Sequence, residues 1–237
     1  MTLSLTKQSL LLVALAIAAT LLIEHSSIDI AISQLFYNQG HWLIDKGQQP
    51  YAFIFYKLPK ALLIVTGLGL VALLAWRSWQ MRQNSLLLSK AQPTRATGIF
   101  SLSRHEISYL LLTLILVPTI TATLKSITHV SCPNHLLLFN GEFEYLSIWQ
   151  NIQAKTPAKC FPAAHASAGF ALFGLAYLPR LRAYRLKIIV AVALLGWLMG
   201  LYKMSIGDHF FSHTLVAMLL GWSIVCAIAA AMFRQTR

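Results

Sequence analysis

Long apolar runs separated by short polar segments constrain this chain more than any other feature. A run of about 18 or more residues with few charges can cross the roughly 30 Å hydrocarbon layer of a membrane as a helix. Runs of this kind, or close to it, occur at 9–23, 57–76, 107–124, 163–178, 188–202 and 213–233. The sequence therefore predicts an all-α polytopic membrane protein, a six-transmembrane-helix bundle forming a single domain over residues 1–237.

Composition agrees with a membrane protein. Only 11% of the residues are charged and 57% are hydrophobic, whereas soluble domains carry about 25% charged residues. The first apolar run resembles the hydrophobic region of a signal peptide, but no small-residue cleavage site follows Ile23. An uncleaved first span is the better interpretation. The next segment, 26–50, mixes apolar and polar residues and is expected to lie at the membrane interface.

The basic residues predict an orientation. The net charge is +12, but the cations are scattered between apolar runs and form no stripe, which argues against a nucleic-acid partner. With a cytoplasmic N-terminus, twelve Lys and Arg fall on the cytoplasmic side and seven on the outer side, and every arginine is inside. The positive-inside rule then places both termini in the cytoplasm. By association with similar layouts, we expect a bacterial inner membrane.

Three segments at the predicted outer ends of the spans carry the ionisable residues of interest. They are 125–133, 161–167 and 203–213, and their side chains Lys125, His165, Lys203, His209 and His213 can converge at one depth. Lysines supply positive charge for a phosphate, and two histidines can divide the roles of nucleophile and general acid. The absence of a carboxylate pair argues against glycosidase chemistry, and no Gly-rich nucleotide-binding loop occurs.

These segments resemble the three motifs of the type 2 phosphatidic acid phosphatase superfamily, integral-membrane branch. The family pattern is Lys-x6-Arg-Pro, then Pro-Ser-Gly-His, then Ser-Arg-x5-His-x3-Asp. The resemblance covers about 124–221, with the spacing matched throughout. The residues that match in position are Lys125 and Pro133, Pro162 and His165, and Lys203, His209 and His213.

Several motif positions depart from the family pattern: Cys132 replaces Arg, Ala163 and Ala164 replace Ser-Gly, Tyr202 and Lys203 replace Ser-Arg, and His213 replaces Asp. Lysine keeps the charge of arginine but loses its bidentate grip on phosphate. His213 lies four residues after His209, on the same face of a helix. A neutral His213 could accept the His209 N–H, but it would stabilise an imidazolium less well than a carboxylate. Either the chain is a divergent active member or its activity is weakened or lost.

The resemblance implies a mechanism and a substrate class. His209 would attack phosphorus to form a phosphohistidine, and His165 would protonate the leaving oxygen and then activate water or a lipid acceptor. Lys125, Lys203 and the second-motif positions Ala163 and Ala164 would contact the phosphate, with no metal or cofactor. The implied function is a lipid phosphatase of the outer leaflet, acting on polyprenyl pyrophosphate, phosphatidylglycerol phosphate, phosphatidic acid or lipid A phosphate. The alternatives are a phosphotransferase to lipid and a catalytically weakened lipid-binding or transport member.

Three smaller questions stay open at this point. His209 and His213 also have a metal-ligand spacing, and His165 could complete a three-histidine site. Asp208 is a second candidate for the missing carboxylate, although its position next to His209 should point it elsewhere. Cys132 and Cys160 share one polar loop and could form a disulfide in an oxidising compartment, whereas Cys226 lies in an apolar run and is expected to be inert.

Overall fold

The computed structural model describes residues 3–86 and 102–233, and the chain is built almost entirely of helices. Within these residues the α-helices are α1 (Leu5–Glu24), α2 (Ile28–Gln34), α3 (Leu58–Leu86), α4 (Arg104–Thr128), α5 (Ile148–Ala154), α6 (Ala164–Phe170), α7 (Arg185–Ser205) and α8 (Phe211–Met232). A two-residue hairpin pairs β1 (Tyr37–Asn38) with β2 (His41–Trp42). A π-helical turn, Phe53–Lys57, leads into α3, and 3-10 turns occupy Pro133–His135, Leu137–Phe139, Ala171–Tyr177 and Pro179–Tyr184.

Five helical stretches of the described chain are long and apolar enough to cross a membrane: Leu5–Glu24, Phe53–Gln83, Arg104–His135, Pro179–Ser205 and Phe211–Met232. They correspond to five of the six predicted spans, so the predicted class of apolar helical bundle is confirmed. The predicted span at 163–178 is not among them. The count of six spans is therefore not confirmed.

The segment at 163–178 differs because it is short and changes helix type. The seven residues of α6 are followed by seven in a 3-10 turn, Ala171–Tyr177. With rises of about 1.5 and 2.0 Å per residue, the two together reach about 25 Å, less than the hydrocarbon layer. The segment is also central, since Phe170 and Phe173 are completely buried.

Small residues let α7 approach this central segment closely. A Cβ atom added at Gly196 of α7 would lie 2.1 Å from the ring of Phe170. Close approach of this kind is the usual basis of helix association in membranes, where the hydrophobic effect does not drive helices together. The central segment is thus held by packing against its neighbours.

The two ends of the bundle have different contents. One end, here called the loop end, comprises residues 25–57, 129–163 and 206–210, which connect the helices on the side of the predicted site. The other, the arginine end, comprises residues 77–86, 102–106 and 178–185. There Arg180 binds Glu106 and His105 contacts the carbonyl of Met232 at 2.7 Å. Four other predicted cytoplasmic cations, Lys90, Arg95, Arg234 and Arg237, lie outside the described residues.

The segment at 26–50, which is predicted to lie at the membrane interface, makes specific contacts with the rest of the protein. After α2 and the hairpin it folds over the connection between α7 and α8, where the Ile44 N–H donates to the Ser205 carbonyl at 3.2 Å. The Trp42 ring packs directly on Gly207, because a Cβ there would lie 2.3 Å from the ring. Gly207 also has a φ of +72°, which favours glycine. This segment therefore covers the predicted site.

A disulfide closes one of the three loop-end segments, 129–163. Cys132 and Cys160 are bonded, with their Cα atoms 5.3 Å apart and 28 positions apart in sequence. The pairing considered from the sequence is the one that the structure has. Cys226 is a free, buried cysteine, as expected.

Candidate active site

His209 occupies the short connection between α7 and α8. α7 ends at Ser205 and α8 begins at Phe211, so a few residues turn the chain back into the bundle. His209 is only 4% exposed. The turn buries a ring that would otherwise lie in a surface loop.

His213 lies on the first turn of α8 and faces His209. The Nδ1 atoms of the two rings are 3.5 Å apart. One neutral imidazole can donate an N–H while the other accepts it. Nδ1 of His209 is turned toward His213, and the ring also makes a hydrogen bond to the backbone at Cys160. The structure thus brings together the two histidines that the motif spacing selects.

Burial and nearby charge keep the His209 ring neutral. The pKa of His209 is well below its ordinary value, first because of desolvation and then because Lys125, Lys203 and His165 repel a proton. A hydrogen bond to the backbone at Cys160 opposes this effect only in part. A neutral imidazole has the free lone pair that a nucleophile requires. Lys125, Lys203 and His165 are thus near enough to His209 to act on it electrostatically.

Lys203 is held by a carboxylate beside His209. Its Nζ atom lies 2.7 Å from Oδ2 of Asp208 and 4.7 Å from the centre of the Tyr56 ring. The other Asp208 oxygen accepts from Lys46 at 3.2 Å and from Asn134 at 3.3 Å. Burial raises the pKa of Asp208, but hydrogen bonds and charge from the two lysines hold it below its ordinary value. Asp208 is thus engaged with lysines, and it orients Lys203.

His165 stands on the first turn of α6, against the segment that leads into α3. Its Nε2 atom lies 3.5 Å from the carbonyl oxygen of Phe55, and its ring is 4.5 Å from that of Tyr56. His165 and Lys60 also line a largely apolar cavity of about 370 Å³ between α3, α4 and α6. The candidate acid–base group therefore lies between the lysines and an apolar space.

The two alanines of the second motif have different surroundings. Ala163 is fully buried, and its N–H donates to the carbonyl of His213 at 3.0 Å. That N–H is therefore already paired, and it fixes α6 to the start of α8. Ala164, the first residue of α6, is half-buried. Of the two, Ala164 is the one whose position remains compatible with the predicted contact to substrate.

The three-histidine metal site considered from the sequence does not form. Within residues 3–86 and 102–233, no group of three or more His, Cys, Asp or Glu side chains is arranged to hold a metal ion. His165 lies near enough to His209 to act on it electrostatically, but the three rings do not converge on one point.

Two contributors to the site, Lys46 and Tyr56, carried no motif signal. Both come from residues 26–57, ahead of the motifs and without a fixed spacing to them. Cys132, at the family's arginine position, is instead committed to the disulfide.

Comparison with known proteins agrees with the motifs. The family model of the PAP2 superfamily matches residues 106–237, more than half of the chain. Neither the curated proteins nor the solved structures give a significant match. Members of the superfamily are generally phosphatases. The chain belongs to the type 2 phosphatidic acid phosphatase superfamily, and this membership supports an activity of the phosphatase or phosphotransferase type.

Proposed function

We propose that this chain is a membrane lipid phosphatase that removes phosphate from a lipid phosphate or pyrophosphate through a phosphohistidine at His209. One observation carries the proposal: a buried, neutral His209 lies among Lys125, Lys203 and His165. This arrangement supplies a nucleophile, positive charge and an acid–base group within one loop end. Phosphoryl transfer needs mainly positioning and charge stabilisation, which these groups provide.

In the first step, the Nε2 lone pair of His209 forms a bond to phosphorus. The bond from phosphorus to the lipid oxygen breaks, and its electron pair stays on that oxygen. Burial and then Lys203 lower the pKa of His165 to about 4 in the free site, and the negative charge of the bound phosphate raises it, so that His165 enters this step protonated. It gives the oxygen that proton, so the lipid leaves as an alcohol or, from a pyrophosphate, as the monophosphate. The His209 ring becomes cationic and donates its Nδ1–H to His213, while Lys125 and Lys203 offset the charge on the equatorial oxygens.

In the second step, a water molecule attacks the phosphohistidine. His165, now neutral, takes a proton from the water as its oxygen bonds to phosphorus. The bond from phosphorus to Nε2 breaks, its electrons return to the ring, and inorganic phosphate leaves. If a lipid hydroxyl replaces water, the same residues perform a phosphotransfer, and the products distinguish the two outcomes.

The apolar cavity beside His165 supports a lipid as the substrate. Its lining comes from α3, α4, α6 and α7 and includes Leu63, Leu68, Leu111 and Met199, with Lys60 and His165 as its polar members. A hydrocarbon chain can enter this space from the bilayer without leaving an apolar environment. A phosphate attached to that chain would lie at His165.

Two features support a site that faces the outside of the cell. The loop end carries the disulfide between Cys132 and Cys160, and such bonds persist in oxidising compartments. The opposite end carries Arg104, Arg180 and Arg182, as expected for a cytoplasmic face. We therefore propose a bacterial inner-membrane protein with cytoplasmic termini and a periplasmic site.

The decisive experiment measures phosphate release by the purified protein from phosphatidic acid, phosphatidylglycerol phosphate and a polyprenyl pyrophosphate. His209→Ala is expected to lose activity at least about 1,000-fold and to form no acid-labile phosphoprotein. His135→Ala is the matched control, because His135 is exposed at the same end and contacts only Phe143 among the rings. A wild type that neither releases phosphate nor transfers it to an added lipid would refute the enzyme. Full activity in His209→Ala would refute the mechanism.

A further inference from the structure

The third motif supplies no negative charge directly to the His209–His213 pair, because His213 stands where the family pattern has Asp. When Nε2 of His209 bonds to phosphorus, the ring becomes an imidazolium, and His213 can accept its N–H but adds no charge. A buried carboxylate near the pair would stabilise the cation and select the tautomer of His213. Asp208 does not serve, because both of its oxygens bind lysines.

Asp29 of α2 is the carboxylate that reaches the start of α8. It is 4% exposed, and no ion pair within the described residues includes it. Its Oδ1 atom accepts the backbone N–H of Ser212 at 2.8 Å, and Oδ2 accepts the Ser212 hydroxyl. Ser212 immediately precedes His213. Each carboxylate oxygen still has a lone pair for a further hydrogen bond.

A small cavity connects Asp29 with His213. Its volume is about 30 Å³, and its polar lining consists of Thr20, Glu24, Asp29, Tyr145, Ser212 and His213. A cavity of about 10–15 Å³ or more with several polar partners can hold a water molecule. One water molecule in this space would link the carboxylate to the ring of His213.

We propose that Asp29 is the positioning carboxylate of the His209–His213 pair. It acts through His213, fixing the tautomer in which His213 accepts the proton of His209 and stabilising the imidazolium that forms on phosphorylation. The chain thereby recovers, from a segment outside residues 106–237, the negative charge that its third motif lacks. This inference rests on the proposed phosphohistidine mechanism.

A purely structural role for Asp29 is the alternative to be tested. The N-cap of α8, Phe210, provides no side-chain hydrogen bond. In this alternative, the sole role of Asp29 is to accept the backbone N–H of Ser212 and so cap α8. Asp29→Asn separates the roles, since the amide oxygen still accepts that N–H and the amide NH2 can donate to the Ser212 hydroxyl oxygen, so both contacts are kept while the charge is lost. Glu24→Gln is the matched control, because Glu24 lines the same cavity but binds the backbone of Ile148 instead of α8.

The kinetic test uses the purified full-length protein and the best substrate of the lipid panel. Asp29→Asn is expected to lower kcat about 10–100-fold with KM and Tm close to wild type, while Glu24→Gln stays within about 3-fold. Asp29→Glu should recover part of kcat. In a His213→Ala background, adding Asp29→Asn should cost less than about 3-fold further, because the path through His213 is already broken.

Several outcomes would overturn the inference. These are wild-type kcat in Asp29→Asn, an equal loss in Glu24→Gln, or fully additive losses in the double variant. If wild type is active and His209→Ala is not, such results reject the role of Asp29 alone and leave the proposed function standing.

A second measurement does not depend on activity. The ¹⁵N shifts of labelled His213 at neutral pH report its tautomer. Wild type should show one tautomer, and Asp29→Asn should change it, although the other groups facing His213 (His209, Lys125, Glu24, Tyr145 and the backbone at Cys160) are unaltered. An identical spectrum in the two proteins would refute the inference even if no substrate were found.

Discussion

Each end of the bundle pairs a carboxylate with cations, but the kind of cation and the number of cations differ. At the arginine end, Nε and Nη2 of Arg180 bind the two oxygens of Glu106, each at 3.0 Å, and Ser103 completes the cap of α4. At the loop end, Asp208 is shared between Lys203 and Lys46, and no ion pair of the described residues includes Lys125. The arginine end is a closed structural pair, whereas the loop end keeps positive charge available for an anion.

The choice between arginine and lysine matches this difference. The planar guanidinium fixes two parallel hydrogen bonds and suits a permanent contact. An ammonium group is a point charge on a flexible stem, so it can exchange one anion for another. We infer that substitutions at the arginine end affect stability, while those at the loop end affect the reaction.

The largest effect is expected from Lys203→Met. Loss of one charge that stabilises the transition state costs about 100–1,000-fold in kcat, and we expect a fall of this size with little change in Tm. Lys203→Arg should retain much of the activity, because it keeps the charge. The measurement is steady-state phosphate release beside a melting curve. If a lower Tm explained the whole loss of activity, the two ends of the bundle would not differ in their roles.

The second effect concerns Arg180→Met and should appear in stability. Removing the guanidinium leaves the buried Glu106 carboxylate without its cation, which costs about 1–3 kcal/mol. We expect a lower Tm in detergent and an unchanged kcat/KM per folded molecule. Tm by intrinsic fluorescence and active-site titration would check this. A selective loss of kcat with normal Tm would mean that the arginine end also takes part in the reaction.

A third, smaller effect concerns pH. Since the pKa of His209 is well below its ordinary value of 6.5, the neutral nucleophile persists as pH falls through that value. The acidic limb of kcat/KM, which reports the free enzyme, should therefore lie below pH 6.5. Lys125→Met removes one repelling charge, raises the pKa of His209 and should move the limb to higher pH. Each profile is normalised to its own plateau. A limb that stays in place would show that Lys125 does not act on His209.

The smallest effect is expected from Lys46→Met. This side chain is 70% exposed, and exposed ion pairs contribute about 0–1 kcal/mol. Asp208 keeps its shorter bond to Lys203, so kcat/KM should change less than about 3-fold. Assays at low and high salt would reveal any contribution of Lys46 to substrate capture. A loss as large as that of Lys203→Met would place Lys46 within the phosphate-binding group.

The sequence predicted the positions of the helices more accurately than their lengths. Apolar runs in the sequence located α1, α3, α4, α7 and α8. A segment that crosses lipid forms a helix because its backbone N–H and C=O groups have to bind one another. The run at 163–178 does not form one long α-helix, and burial inside the bundle selects apolar residues as strongly as lipid does. Its division into an α-helix and a 3-10 turn depends on close packing with α7, which no local pattern records.

The site was predictable where chemistry and spacing coincide. His165, His209 and His213 recur at motif positions, and the structure brings them to one end of the bundle. Asp29 and Tyr56 could not be placed from the sequence. Their relation to the histidines arises from how residues 26–57 fold back over α8, and such long-range contacts leave no periodic signal.

The disulfide has a consequence for how the protein is made. Cys132 and Cys160 close the connection between the first two motif segments, and the backbone at Cys160 contacts His209. In the orientation proposed above, a newly synthesised chain carries these two as thiols until its loops have crossed the membrane and met an oxidant. The finished arrangement around His209 is therefore acquired after insertion, so maturation of the site and delivery to its compartment become a single event.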